Sequence, residues 1–139
     1  MTPSTVKYPE NMDKECIALC DAINRIPGLD TVESCCGHGK KSFRVFLHAD
    51  DVLALYWLAR SLSRSYGPPH LFGWELVVTV SDISYNSNGD MRRDNGDVVF
   101  MLTSGDNKGK KAYEQANELA KYILDDLNSL HLQDWFNKK

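Results

Sequence analysis

Long apolar runs are absent from this 139-residue chain, and so is a strong excess of charge of either sign. No segment approaches the roughly 20 consecutive apolar residues of a membrane-spanning helix. The first eleven residues are polar and lack the apolar core of a signal peptide. The formal net charge of −3 provides no overall field that would attract nucleic acid or an anionic membrane. We therefore expect a cytoplasmic protein without a membrane partner.

The chain has four cysteines, at positions 16, 20, 35 and 36, too few for a disulfide-rich scaffold. In a reducing compartment these are expected to be thiols, metal ligands or small core residues rather than disulfides. The chain is long enough for one domain with a substantial core. We expect a flexible N-terminal segment at residues 1–11, a single domain at residues 12–130 and a C-terminal tail at residues 131–139.

Hydrophobic periodicity predicts the element order α-β-β-α-β-β-α. The first helix has an apolar face, listed as Cys16, Leu19, Cys20 and Ile23. For the second helix we expect Asp50 as N-cap, with a buried stripe of Val52, Leu55, Tyr56, Ala59 and Leu62. Residues 74–80 and 98–102 alternate as a hairpin, and residues 112–130 form the clearest amphipathic helix. This order favours an α+β fold, a mainly antiparallel sheet with helices on one face.

The segment from Glu33 to Lys41 concentrates the reactive side chains. It reads Glu-Ser-Cys-Cys-Gly-His-Gly-Lys-Lys and connects two predicted strands. Gly37 and Gly39 can both adopt positive φ, which would turn several backbone N–H groups toward one anion. We therefore place the candidate site in this loop.

A phosphate or nucleotide site is the first hypothesis for the loop. Lys40, Lys41 and Arg44 would add positive charge, and His38 would add a directional donor. Residues 104–107 precede the last predicted helix, whose N-terminus could bind the same anion. The predicted ligand-binding residues are Ser34, Cys35, Cys36, Gly37, His38, Gly39, Lys40, Lys41, Arg44, Ser104, Gly105 and Asn107. The alternative, a hairpin turn with solvated lysines, stays open.

Zinc is the second hypothesis, and it requires Cys16 and Cys20 to meet Cys35, Cys36 or His38. The spacing disfavours this set. Neighbouring cysteines point to opposite sides of an extended chain, and cysteines on an apolar helix face are typical of a core. We therefore assign neither a metal nor a cofactor.

Thiol catalysis is the third hypothesis. Cys35 or Cys36 would be the nucleophile, and His38 or His48 the base. His38 is so close to both cysteines along the chain that its ring is poorly placed to face either thiol. Glu33 is the acidic residue that the local sequence offers as an orienting partner. Catalysis is accordingly left undecided.

Ser34, Cys35 and Gly37 resemble the Ser-Cys-Ser-Gly-Arg segment of the tRNA wybutosine-synthesis methyltransferases that perform the third step. Cys36 stands at the second serine of that segment and His38 at its arginine. The resemblance implies an S-adenosylmethionine-dependent methyl transfer with RNA as partner. The segment from residue 33 to residue 39 is also similar to one in small uncharacterised bacterial and phage proteins.

Together these features predict a protein that binds a nucleotide or a nucleotide-derived signal and sequesters it, as a phage counter-defence protein would. The alternatives are the methyltransferase and a non-catalytic interaction module whose Trp135 and Phe136 contact a partner or a second copy in a homo-oligomer. Arg92 and Arg93, near the hairpin tip, are candidate contacts to RNA or to the ligand of a neighbouring subunit.

Overall fold

The helices and strands of the protein, given by a computed structural model, follow the pattern of apolar and polar residues in the sequence. The structure describes residues 12–63, 73–80, 83–85, 91–93 and 98–129. The helices are α1 (Lys14–Asn24), α2 (Val52–Ser63) and α3 (Gly109–Leu127). The strands are β1 (Leu29–Cys35), β2 (Ser42–Ala49), β3 (Glu75–Val80), β4 (Ile83–Tyr85), β5 (Met91–Arg93) and β6 (Val98–Lys108). A 3-10 turn covers Gly37–Gly39. The predicted terminal segments, 1–11 and 131–139, lie outside the described residues.

The main sheet has the strand order β1-β2-β6-β3, and every neighbouring pair is antiparallel. The predicted hairpin is confirmed, because β3 pairs with β6 from Glu75 opposite Thr103 to Val80 opposite Val98. Strands β4 and β5 pair separately beyond it. The fold is therefore the expected single-domain α+β arrangement with an antiparallel sheet.

One face of the sheet carries the core. Along β2 the side chains of Phe43, Val45 and Leu47 are fully buried, whereas their neighbours on the strand are only half-buried. Leu102 of β6 pairs with Val45 and is buried on the same face. The helices cover this face, and their buried residues join the sheet residues in one cluster. Burial of this apolar face is the main source of stability.

The predicted faces of α1 and α3 are confirmed. Cys16, Leu19, Cys20 and Ile23 of α1 are buried, as are Ala112, Ala116, Leu119, Ala120 and Ile123 of α3. Tyr113 lies beside this face, and its ring meets that of Phe43 edge-on at 6.4 Å between centroids. This contact holds the first turns of α3 over the start of β2.

The predicted stripe of α2 is confirmed at Leu55 and Leu62, which are partly buried against the core, and wrong at its other three positions. Val52 and Tyr56 are 75% and 54% exposed, whereas Ala54, Trp57, Leu58 and Ser61 are buried. Apolar residues occur all round this helix, so periodicity alone did not select the face that packs inward.

The N-cap of α2 is also shifted by one residue. The Leu53 N–H donates to Asp51 Oδ1 at 2.8 Å. The N–H of Asp50, the predicted cap, donates instead to the Gly28 carbonyl at 2.8 Å. Asp50 thus connects the end of β2 to the start of β1, and Asp51 caps the helix.

None of the helices in the described part of the chain combines the length and apolar character that a membrane span requires.

Substitution of Gly105, in β6, tests how closely this strand packs against Gly73. Its φ is +62°, and a Cβ there would overlap the Gly73 carbonyl oxygen, whereas a Cβ on Gly39 (φ +79°) would meet no atom within 4 Å. We expect Gly39→Ala to lower the free energy of unfolding by about 1–2 kcal/mol, the cost of left-handed backbone. Gly105→Ala should cost more than about 3 kcal/mol, because overlap is added to that strain. Urea denaturation measures both, and equal losses would contradict the described packing.

Candidate functional site

Residues 36–41, named here the glycine loop, turn the chain sharply from β1 into β2. Gly37, His38 and Gly39 have φ values of +79°, +52° and +79°. The N–H groups of Lys40 and Lys41 both donate to the Gly37 carbonyl at 3.0 Å. A Cβ on Gly37 would lie 2.8 Å from the Ser42 carbonyl oxygen, so this position requires glycine. Among the described residues other than glycine, His38 is the one with positive φ, and such a conformation often accompanies functional sites.

Asp13, which sequence reasoning missed, ties this loop to α1. It occupies the N-cap position of α1, yet its side chain makes no cap hydrogen bond. Its Oδ2 instead accepts the Cys36 N–H at 2.9 Å and lies 3.8 Å from His38 Nε2. The hydrogen bond from the Cys36 N–H is the main cause that lowers the pKa of Asp13. His38 lowers this pKa further, whereas partial burial raises it. An aspartate at an N-cap is a sequence signal, but its use by a distant loop is not visible in the sequence.

The two loop cysteines have different surroundings. Cys35 is half-buried and its Sγ accepts the Gly37 N–H at 3.4 Å. Cys36 is 3% exposed, and its Sγ accepts the His38 N–H at 3.4 Å. His38 Nδ1 and the Tyr113 hydroxyl each lie 3.8 Å from the same sulfur. Burial raises the pKa of Cys36, and the Cys36 thiol in turn raises the pKa of Tyr113. Cys36 is thus the cysteine that faces the core.

Cys16 and Cys20 belong to the core and not to the loop surface. Both are buried on α1, and their thiols lie near the Ser34 hydroxyl. Burial raises the pKa of Cys16 to about 12 and that of Cys20 to about 11. Ser34, a predicted ligand residue, therefore faces α1. The structure does not bring the helix cysteines into the metal-ligating group of the loop.

Ser104, Gly105 and Asn107 lie within β6, and α3 begins at Gly109. Residues 104–107 thus precede the last helix as expected, but they do so as part of a strand. The Ser104 hydroxyl accepts the Phe43 N–H at 2.9 Å and donates to the Asn107 carbonyl at 2.6 Å, and Asn107 Nδ2 donates to the Ser104 carbonyl at 3.0 Å. The Ser42 hydroxyl donates to the Gly105 carbonyl. These polar groups join β6 to β2 at the point where the register of the two strands shifts, between Ser42 and Arg44 of β2.

Two identical Gly-Lys-Lys segments meet at this end of the sheet. A Cβ on Gly109 would lie 3.7 Å from the Gly39 Cα, so the two glycine backbones are in close contact. Lys108, the N-cap of α3, pairs with Ser42 in the sheet. Five exposed lysines lie in or next to these two segments, and we call them the lysine cluster: Lys40, Lys41, Lys108, Lys110 and Lys111. Lys108, Lys110 and Lys111 were missed, although the repeated tripeptide is visible in the sequence.

Arg44 lies on the opposite face of β2 from the core, where it pairs with Cys35 of β1 and Thr103 of β6. Its Nε atom is buried and has no hydrogen-bond partner among the described residues. Arg92 and Arg93 form part of β5, where the structure describes the backbone alone. The loop and Arg44 thus occupy one end of the main sheet.

Comparison of the chain with protein-family models, curated proteins and solved structures gives no match. The wybutosine-type resemblance therefore remains an expectation carried by Ser34, Cys35 and Gly37.

Burial predicts the order in which the thiols react. Under native conditions at pH 8, we expect iodoacetamide to modify Cys35 first and Cys36 more slowly. Cys16 should stay unmodified, because a pKa of about 12 leaves roughly one thiol in ten thousand ionised. Peptide mass spectrometry with and without denaturant reports the order, and Cys35→Ser is the control that removes the fast site. Equal labelling of all four cysteines in the native protein would contradict the described burial.

The Asp13 contact predicts a pH dependence of stability. Because folding lowers the pKa of Asp13 from 3.8, its ionised form stabilises the fold fully above that value. The contribution is lost as the pH falls through the lower folded pKa. We expect Asp13→Asn to reduce the free energy of unfolding at pH 7 by about 1 kcal/mol, and the difference from wild type to shrink below pH 4. Denaturation from pH 7 to pH 3 measures it, with Asp106→Asn at an exposed position as control. A difference that is constant across this range would refute the assigned contact.

Proposed function

We propose that this cytoplasmic protein binds a phosphorylated small molecule, a nucleotide or a nucleotide-derived signal, at the surface formed by the glycine loop and the first turn of α3. The observation that carries the proposal is the contact between the two Gly-Lys-Lys segments. It gathers lysines from residues 40 and 41 and from residues 108–111 on a chain whose net charge is −3. Lysine ammonium groups bind phosphate as point charges.

The start of α3 supports the same proposal. A helix N-terminus carries partial positive charge and free N–H groups, so acidic residues are favoured there. In α3 the first turn contains no acidic residue, and the N-cap Lys108 makes no side-chain cap hydrogen bond. Each lysine so placed opposes the helix dipole by about 0.3–1 kcal/mol. A bound anion would offset that repulsion. Anion binding would therefore explain why lysines rather than acidic residues occur at the start of α3.

The groups that recognise the ligand differ from those in the initial hypothesis. The loop N–H groups of Cys36, Gly37, His38, Lys40 and Lys41 already donate to acceptors within the protein. The ligand would therefore be held by the lysine cluster and by the first N–H groups of α3. Arg44 is a further cation at the same end of the sheet, on the face opposite the helices. Binding without turnover, as in sequestration, is consistent with the burial of the Cys36 thiol.

Calorimetric titration with ATP and with pyrophosphate tests the proposal. We expect Lys41→Gln/Lys111→Gln to weaken binding by about tenfold or more, since each hydrogen bond to a charged group contributes about 1.5–3 kcal/mol. Arg25→Gln/Lys121→Gln is the matched control, because it removes the same charge elsewhere and should leave affinity unchanged. Binding should also weaken as salt is raised.

Two results would reject this function. One is the absence of heat with either probe at low salt; the other is an equal loss of affinity in the control pair, which would indicate a non-specific charge effect. S-adenosylmethionine carries no phosphate, so saturable binding of it alone would favour the methyltransferase alternative. Chromatography of ATP after incubation shows whether the ligand is recovered intact, as sequestration requires.

A further inference from the structure

A group of metal-ligating atoms lies at the base of the glycine loop, and the phosphate contacts do not use it. One ligand atom each from Asp13, Cys35 and His38 lies within 4.8 Å of the other two. His38 Nε2 is 3.8 Å from Asp13 Oδ2. In a tetrahedral zinc site, nitrogen and oxygen ligands about 2.0–2.2 Å from the ion are about 3.4 Å apart. The His38–Asp13 spacing is therefore within about half an ångström of a metal-bound one, and a small side-chain movement would bring the Cys35 sulfur to the same ion.

We propose that Asp13, Cys35 and His38 bind a divalent cation of the zinc type. Cys35 would bind as a thiolate after its proton passes to solvent, with imidazole nitrogen and carboxylate oxygen as the other ligands. A thiolate disfavours magnesium and calcium, whereas zinc accepts sulfur, nitrogen and oxygen together. The charges of one thiolate and one carboxylate balance those of the ion. Three protein ligands leave a fourth position for water or a small ligand, the arrangement of open zinc sites.

The spacing along the chain fits this assignment. Cys35 and His38 are separated by two residues, the short interval that lets two ligands from one loop reach one ion. The third ligand, Asp13, comes from the start of α1. This set differs from the zinc set considered from the sequence, because Cys16 and Cys20 are buried in the core.

Each ligand also has an orienting contact, as metal ligands commonly do. The Cys36 N–H donates to Asp13 Oδ2 at 2.9 Å, and the Gly37 N–H donates to Cys35 Sγ at 3.4 Å. His38 Nδ1 lies 3.8 Å from Cys36 Sγ, with Nε2 toward Asp13. These contacts come from two adjacent loop residues, so the ligands are held before an ion arrives. Preorganisation of this kind lowers the cost of binding.

The site is accessible from solvent. The His38 side chain is 70% exposed, and that of Asp13 is 21% exposed. His38 has positive φ and lies between two glycines that also have positive φ, and its Nδ1 lies 3.8 Å from Cys36 Sγ. An ion can therefore enter without unfolding of the domain.

Metal titration of the EDTA-treated, dialysed protein tests the assignment without any nucleotide present. We expect zinc to bind at one equivalent and to raise the melting temperature, because it binds the folded state. Cobalt(II) should give a sulfur-to-metal charge-transfer band and the intense visible bands of tetrahedral coordination. Cys35→Ser should abolish the charge-transfer band. His38→Asn, chosen because asparagine tolerates positive φ, should weaken zinc binding by about 100-fold or more, beyond the 10- to 100-fold effect of orienting contacts.

Matched controls separate this site from general thiol or imidazole binding. His48→Asn, on the half-exposed far part of β2, should leave the zinc affinity and the cobalt spectrum unchanged. Equal zinc affinity in wild type and His38→Asn, or a cobalt spectrum without a sulfur band, would overturn the assignment. Because zinc alone is the probe, the result does not depend on whether ATP or pyrophosphate binds.

Discussion

The hydrogen bond from the Cys36 N–H to the Asp13 carboxylate organises this end of the molecule. It joins the first residue of the glycine loop to the residue that precedes α1, across 23 positions of sequence. The contact holds Cys36 against the core and keeps the Asp13 carboxylate near His38 and Cys35. A hydrogen bond to an ionised group is stronger than a neutral one, which suits a position that must fix both a loop and a helix start.

Backbone conformation imposes the second constraint. Three consecutive residues with positive φ, Gly37, His38 and Gly39, reverse the chain between β1 and β2. Glycine accepts this conformation, and it also permits the close approaches of Gly37 to Ser42 and of Gly39 to Gly109. A histidine there is less favourable, so the surrounding contacts have to maintain it. The outcome is an exposed imidazole whose two nitrogens face a sulfur and a carboxylate.

Different side chains of this turn suit a cation and an anion. Asp13, Cys35 and His38 offer metal-ligating atoms within 4.8 Å of one another, whereas the lysine cluster is exposed on residues 40–41 and 108–111. A cation and an anion would therefore approach different parts of the same loop. The proposed phosphate ligand and the proposed zinc-type ion are compatible for this reason, and each is recognised by separate side chains.

The sequence by itself determined the α+β class, the hairpin, the buried faces of α1 and α3, and the turn around Gly37 and Gly39, because these depend on local periodicity and on glycine conformations. The tertiary structure alone decided which face of α2 packs inward, since apolar residues surround that helix and packing of Trp57 and Leu58 selects one side. It also decided that Cys36 and not Cys35 is buried. Asp13 near His38, and Gly109 against Gly39, are contacts between residues far apart in the chain. Such contacts are set by how helices dock on the sheet, which no local pattern encodes.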